Sequence, residues 1–264
     1  MHTFLSTSYK FRFLSTSGIV IVLLPLLLSF QIFGARVHPL RVDVSLSEGE
    51  TQKVLIKITN TSNQKEIIQI SKVNFIMKNS GVLIPRPAKR KSPSLSNWIK
   101  LPRKEINLEP NENYNYEFTI SRPNNESGGD HWGALIIEGN KISSINEKDD
   151  VGVGIRLTYA VAILQHDPLS TEKSGVLKSM QARYLKPNEK GLEKIKITAI
   201  LQNKCKKILN TDIRFELRNQ KGKVIDIKKI EDRIVLPDRK RIFSVAFTRN
   251  FQFENYLALA IMDY

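Results

Sequence analysis

The sequence predicts an all-β protein of two β-sandwich domains behind an N-terminal export segment. Three observations carry this prediction. From Leu40 onwards the hydrophobic period is two, turn residues interrupt the alternation at short intervals, and no stretch after residue 35 holds an apolar i, i+3, i+4, i+7 stripe over three turns. Many short alternating strands at regular spacing read as sandwiches. A length of 264 residues admits one or two domains at roughly 100–200 residues each.

Residues 1–35 read as a signal peptide or N-terminal anchor. Lys10 and Arg12 lie in a stretch without acids, and residues 19–33 (IVIVLLPLLLSFQIF) are almost wholly apolar. That core suits a signal-peptide hydrophobic region and is short for a bilayer span of about 20 residues. Gly34 and Ala35 are small enough for cleavage after Ala35, and an uncleaved membrane anchor is the alternative. Either way this segment engages the membrane during export, and the body is placed in the periplasm or cell envelope.

The strands follow in order. Val42, Val44 and Leu46 alternate up to a turn at Ser47-Glu48-Gly49-Glu50. Val54, Ile56 and Ile58 form the next strand, closed by Asn60-Thr61-Ser62-Asn63. Tyr114, Tyr116, Phe118 and Ile120 repeat the pattern, and residues 132–137 form a nearly continuous apolar strand after Gly128-Gly129. The longest alternation is Val151, Val153, Ile155, Leu157, Tyr159, Val161, Ile163. It pauses at His166-Asp167-Pro168, which places the domain boundary there: 36–166 and 167–264. A weak internal repeat supports two similar halves. Leu108-Glu109-Pro110 precedes Tyr116, Phe118 and Ile120 by the same offsets that separate Val235-Leu236-Pro237 from Phe243, Val245 and Phe247.

Several function classes are excluded or left without support. One cysteine, Cys205, rules out an intrachain disulfide framework and a Cys-rich zinc site. His38, His131 and His166 are far apart and form no metal-ligand motif, so neither metal nor cofactor is expected. Asp130-His131 suggests an acid–base pair, but adjacent strand residues face opposite ways, and a turn before Trp132 is the simpler account. Cys205 between Lys204 and Lys206 reads either as a thiol activated by cations or as an ordinary cysteine in a basic strand. No active site emerges, and the protein is read as a non-enzyme.

The charge is +15, from 41 basic and 26 acidic residues. Between Ile67 and Lys104 there is no acid, against nine basic residues. Their centre is a proline-punctuated loop with Arg86, Lys89, Arg90 and Lys91. This loop reads as a docking site for an anionic envelope polymer or as a plain solvated loop. Nucleic acid is not expected, because the protein is exported and the loop lacks interleaved aromatics apart from Trp98.

Together these features resemble the two-domain immunoglobulin-like chaperones of periplasmic pilus (fimbrial) assembly. The residues that carry the resemblance are Glu48-Gly49-Glu50, Ile56-Lys57-Ile58-Thr59-Asn60, Trp98, Leu108-Glu109-Pro110, Ile155-Arg156-Leu157-Thr158-Tyr159, Leu236-Pro237 and the terminal run from Tyr256 to Tyr264. The resemblance implies immunoglobulin-like sandwiches and an exported protein subunit as partner, bound by strand pairing along residues 151–163. It casts Val151, Val153, Ile155, Leu157 and Tyr159 as the paired strand and Arg156 as the cleft residue that grips the subunit's terminal carboxylate. At the family's second basic anchor this sequence has Val44. The alternative is a structural or adhesive envelope module that binds an anionic surface through the basic loop, without chaperone activity.

Overall fold

The structure is a computed structural model that describes residues 34–87, 94–126, 128–139, 142–144, 153–185, 193–249, 251 and 255–264, with Ile142–Ser144 and Val153–Ile155 described by their backbone. Its first part runs through β1 (Ala35–His38), β2 (Arg41–Ser45), β3 (Thr51–Asn60), β4 (Glu66–Met77) and β5 (Leu83–Arg86). A one-turn helix α1 (Leu95–Trp98) leads into β6 (Ile99–Lys100), β7 (Glu105–Leu108), β8 (Asn113–Ser121) and β9 (His131–Glu138). Then come β10 (Ile142–Ser144), β11 (Val153–Ile155) and β12 (Thr158–His166). The rest is β13 (Gly175–Leu185), β14 (Glu193–Asn203), β15 (Leu209–Arg218), β16 (Val224–Val235), β17 (Lys240–Arg249) and β18 (Leu257–Asp263). The all-β expectation holds.

Alternation decides which face each strand buries. In β3, Val54, Ile56 and Ile58 point inward while Lys53, Leu55 and Lys57 face out, and β8 answers with Tyr116, Phe118 and Ile120. These strands lie in the sheet β1-β3-β8-β6, which packs on a second sheet ordered β2-β12-β9-β4-β5, with β7 also paired to β4. The two enclose a core that includes Ile56, Ile58, Ile68, Ile70, Trp98, Leu135 and Ile163. Ala35, read as the last residue of the export segment, belongs to this fold: it pairs with Asn60 in β1 and is buried. The rest of the export segment up to residue 33 lies outside the described residues. Among those residues no helix is long and apolar enough to cross a membrane.

The remaining strands form two three-stranded sheets, β13-β14-β17 and β16-β15-β18. Their core holds Ile197, Leu201, Phe215, Leu217, Phe243 and Phe247, and it also takes in Phe75, Met77, Ala134 and Leu164 from the first pair of sheets. Strand β4 therefore changes its buried face along its length. Its even residues Ile68 and Ile70 enter the first core, and its odd residues Phe75 and Met77 enter the second cluster. Strand β9 is covered on both sides, which is why its sequence reads as an apolar run rather than an alternation.

Two expectations need correction. The alternation over residues 151–163 is not one strand. Strand β11 pairs with β10 as a separate ribbon, the chain breaks at Arg156 and Leu157, and β12 then pairs with β9 and, in parallel, with β2. The period runs through the break in the sequence because an alternation of residue types does not record which strand supplies the hydrogen bonds. Cys205 is not on a strand: it sits in the turn after β14, buried, with its thiol donating to Asn203 Oδ1 at 3.1 Å.

Candidate functional site

The expected strand-pairing residues fall at one end of β12. Arg156 is exposed, and its guanidinium lies 3.6 Å from Glu138. Leu157 and Tyr159 are half-buried, and Tyr159 packs on the first core. Val151 and the side chains of Val153 and Ile155 lie outside the described residues. The contacts between the two sheet pairs lie toward the other end of β12, from Ala162 and Leu164 to Asp167 just beyond His166. From Thr158 to His166 that is roughly 26 Å of strand at 3.3 Å per residue. Arg156 and these contacts are thus at opposite ends.

The basic stretch is only partly assembled where the sequence suggested. Arg86 is exposed at the end of β5, while Lys89, Arg90 and Lys91 lie outside the described residues. Three other lysines of the acid-free stretch converge instead. Ile68 and Ile70 set the inward parity of β4, so the next inward position belongs to Lys72, directly opposite the core residue Leu135. Its ammonium cannot enter the core, and it donates to the Ile99 carbonyl at 2.5 Å across the gap between the sheets. Helix α1 places Asn97 beside it, and β6 carries Lys100. Lys104 is fixed by the hydrogen bond from the Ile70 amide to its own carbonyl, at 2.7 Å.

The result is an open cavity of about 670 Å³ between the two sheets, with Ile70, Ile99 and Leu101 as its apolar lining and Ser71, Lys72, Asn97, Lys100 and Lys104 as its polar rim. Burial and the neighbouring Lys104 charge push the Lys72 pKa below its ordinary value. Among the described residues no carboxylate forms an ion pair with Lys72, Lys100 or Lys104. Three cations sharing one mouth without a counter-charge favour an anionic occupant. The amide and hydroxyl add donors and acceptors for a polyhydroxylated one.

A second polar cluster joins the two sheet pairs. Asp130, buried, accepts from the Asp167 amide at 2.9 Å, from the Ile208 amide at 2.7 Å and from His166 Nδ1 at 3.1 Å. The other ring nitrogen of His166 lies 2.8 Å from Asp43, which is also gripped by Arg41, and Arg41 reaches Asp232. Nearby, Arg122 and Asp167 form a buried ion pair at 3.3 Å. The hydrogen bond to Asp130 is the main reason that the His166 pKa is raised, helped by Asp43. Both ring nitrogens are engaged, so His166 is not a free catalytic base. Its neighbour His131 has its pKa lowered by burial and packs on Trp98 in a tilted arrangement, 4.5 Å between ring centroids. Asp130 and His131 therefore serve the fold. Among the described residues no group of three His, Cys, Asp or Glu side chains could hold a metal ion.

Sequence reasoning missed the convergence of Lys72, Lys100 and Lys104 and favoured the loop around Lys89. One signal was available: a lysine following Ile68 and Ile70 at the same parity stands where a core residue belongs.

Comparison with known proteins adds three findings. No curated protein matches the chain. Among solved structures, it is similar to a chaperone–tip adhesin complex of CFA/I fimbriae biogenesis, with 11% identity over 86% of this chain and 98% of that one and a TM-score of 0.45. It is also similar to the Salmonella enterica SafA pilin in complex with the SafB chaperone, with 11% identity, 80% and 83% coverage and a TM-score of 0.42. Likeness at these levels is one of β architecture alone. Residues 42–139, less than half of the chain, match the family model of the WxL Interacting Protein, peptidoglycan binding domain.

Proposed function

We propose that this chain is an exported cell-envelope attachment protein of two sandwich domains, 36–166 and 167–264, whose first domain binds peptidoglycan at the mouth rimmed by Lys72, Lys100 and Lys104. The observation that carries this reading is one of place. The segment that matches a peptidoglycan-binding domain, 42–139, contains every residue that lines the mouth. Peptidoglycan offers what the mouth lacks: carboxylates on its stem peptides for the lysines, amides and hydroxyls for Asn97 and Ser71, and methyl groups for Ile70, Ile99 and Leu101. Each exposed ion pair contributes only about 0.2–1 kcal/mol, so a single mouth binds weakly. A polymer that presents the same repeat many times to many copies converts weak contacts into retention.

The test is cosedimentation of the full chain with peptidoglycan sacculi stripped of secondary anionic polymers. The Lys72→Gln/Lys100→Gln/Lys104→Gln variant should bind about tenfold more weakly, as expected for three ion pairs at roughly 0.5 kcal/mol each. Binding of the triple variant equal to that of the unaltered protein sinks the proposal. Binding only to unstripped walls replaces peptidoglycan with a secondary anionic polymer.

One observation favours a second reading, strand pairing with an exported subunit. Strand β2 pairs only with residues 162–166 of β12, so among the described residues 158–161 have no ladder partner on that side. An extended chain could pair there, next to Arg156 and Leu157. If Arg156→Ala and Leu157→Glu leave capture of a subunit unchanged, this reading fails.

A further inference from the structure

Strands β13 and β18 are edge strands of the two sheets in the second half, and no ladder joins them among the described residues. They approach at one end, where Tyr264 Oη donates to the Gly175 carbonyl at 3.4 Å. Beyond that point the register shows which side chains look into the space between the sheets. Met180 stands opposite Ala199, Ala182 opposite Ile197, and Tyr184 opposite Ile195. Ala199 and Ile197 are fully buried, so Met180, Ala182 and Tyr184 share the inner face. On the facing edge Ala258, Ala260 and Met262 stand opposite the buried Leu217, Phe215 and Ile213.

These inner-facing positions are not covered as inner positions should be. Met180 is 38% exposed and Tyr184 52% exposed. The cause is size: Ala182, Ala258 and Ala260 are too small to fill the space between two sheets about 10 Å apart. Among the described residues, 180–185 of β13 also carry an unpaired main-chain edge, while the irregularity between Leu177 and Ser179 blunts only the Gly175 end.

We propose that this seam accepts a β-strand from a partner protein, which pairs along residues 180–185 of β13 and places every second side chain between the sheets. The chemistry selects an extended segment, because only a strand presents main-chain donors and acceptors together with apolar side chains at a period of two. Charge defines the partner further. Strand β13 has no acidic residue, carries Lys178 and Arg183, and sets Arg183 opposite Lys196. A second copy of β13 would bring the same positive charges to the edge, whereas a strand with acidic residues between its apolar ones would complement them. This site lies outside the segment that carries the peptidoglycan reading and does not depend on it.

The test is selection of phage-displayed random twelve-residue peptides on the full chain, with counter-selection on Ala182→Trp, which fills the seam. The expected binders alternate apolar and acidic residues and protect the amides of residues 180–185 from hydrogen exchange. They should bind Ala182→Trp at least about tenfold more weakly and bind Gln181→Trp, whose side chain points to the opposite face, unchanged. N-methylation along one edge of a selected peptide should abolish binding. Failure to select any peptide sensitive to Ala182→Trp, or retention of binding after N-methylation, overturns the proposal. So does a concentration-dependent homodimer that Ala182→Trp abolishes, since the occupant is then a second copy.

Discussion

Cys205 stands in the second half where Ser62 stands in the first. Each lies two residues after a fully buried asparagine, Asn203 or Asn60, and gives that side chain's oxygen both a backbone N–H and a side-chain donor. The asparagine amide then donates four residues ahead, to Lys207 or Gln64, and across to the strand end before the proline turn, to Val235 or Leu108. The repeat noticed around Pro110 and Pro237 is thus one half of a duplicated knot, and the asparagine turn is the other half. Cys205 is a structural donor in this knot.

From this, Asn203→Ala should cost about 3 kcal/mol, because it removes a donor from the buried Val235 carbonyl and the part-buried Lys207 carbonyl and the acceptor of the buried Cys205 amide. Cys205→Ser should be within about 1 kcal/mol of the unaltered protein, since a serine already does this work at residue 62. Urea unfolding midpoints of the two variants check both. A cost for Cys205→Ser as large as that for Asn203→Ala would break the equivalence.

His166 links stability to pH from about 6.5 upwards. Its folded pKa is raised, chiefly by Asp130. The stabilisation is therefore complete below the unfolded value of about 6.5 and is lost as pH rises through the folded pKa. His131 acts in the opposite sense and in a lower window: burial lowers its pKa, so its contribution is present above about 6.5 and lost as pH falls through its folded value. Thermal melts between pH 5 and 9 should show His166→Gln removing the decline that sets in above about pH 6.5 and leaving the one below it alone. An unchanged decline above about pH 6.5 would contradict the bridge from Asp130 to Asp43.

Glu66 opposes folding at neutral pH. It is buried, one of its carboxylate oxygens has no hydrogen-bond partner among the described residues, and burial raises its pKa. Its contribution is full below the unfolded value of about 4.3 and is lost as pH rises through the folded one. The stability of Glu66→Gln relative to the unaltered protein should therefore improve between about pH 4 and pH 7. Chemical denaturation at the two pH values measures this, and a difference that does not grow with pH would refute it.

Adjacent glycines should behave differently. Gly129 has φ +119, and a Cβ there would meet Lys206 Cβ at 2.9 Å and the Lys206 carbonyl at 3.0 Å. Gly129→Ala should cost about 2 kcal/mol through backbone strain and displacement of the 206–208 turn. A Cβ on Gly128 meets only Asp167 Oδ2, at an ordinary 3.4 Å, so Gly128→Ala should change stability by less than about 0.5 kcal/mol. Equal costs in urea unfolding would mean that the approach to Lys206 is not what selects glycine.

Alternation by itself determined the strands. Val54-Ile56-Ile58 and Tyr116-Phe118-Ile120 declare both a strand and its buried face, because side-chain direction in a strand depends only on position along the chain. The all-β fold and the strand limits around these residues were legible for that reason. The tertiary structure alone decided what faces what. Lys72, Asn97, Lys100 and Lys104 become one mouth only when β4, α1 and β6 meet across two sheets. Asp43, Asp130 and His166 meet only when β2, β9 and β12 lie side by side, and the Ile208 amide joins them only when the two halves dock. The break at Arg156 was invisible because the apolar alternation of the sequence continues through it while hydrogen bonding changes partner. Local sequence encodes a residue's orientation, and long-range pairing chooses its neighbours, so the fold class could be read along the chain and the site could not.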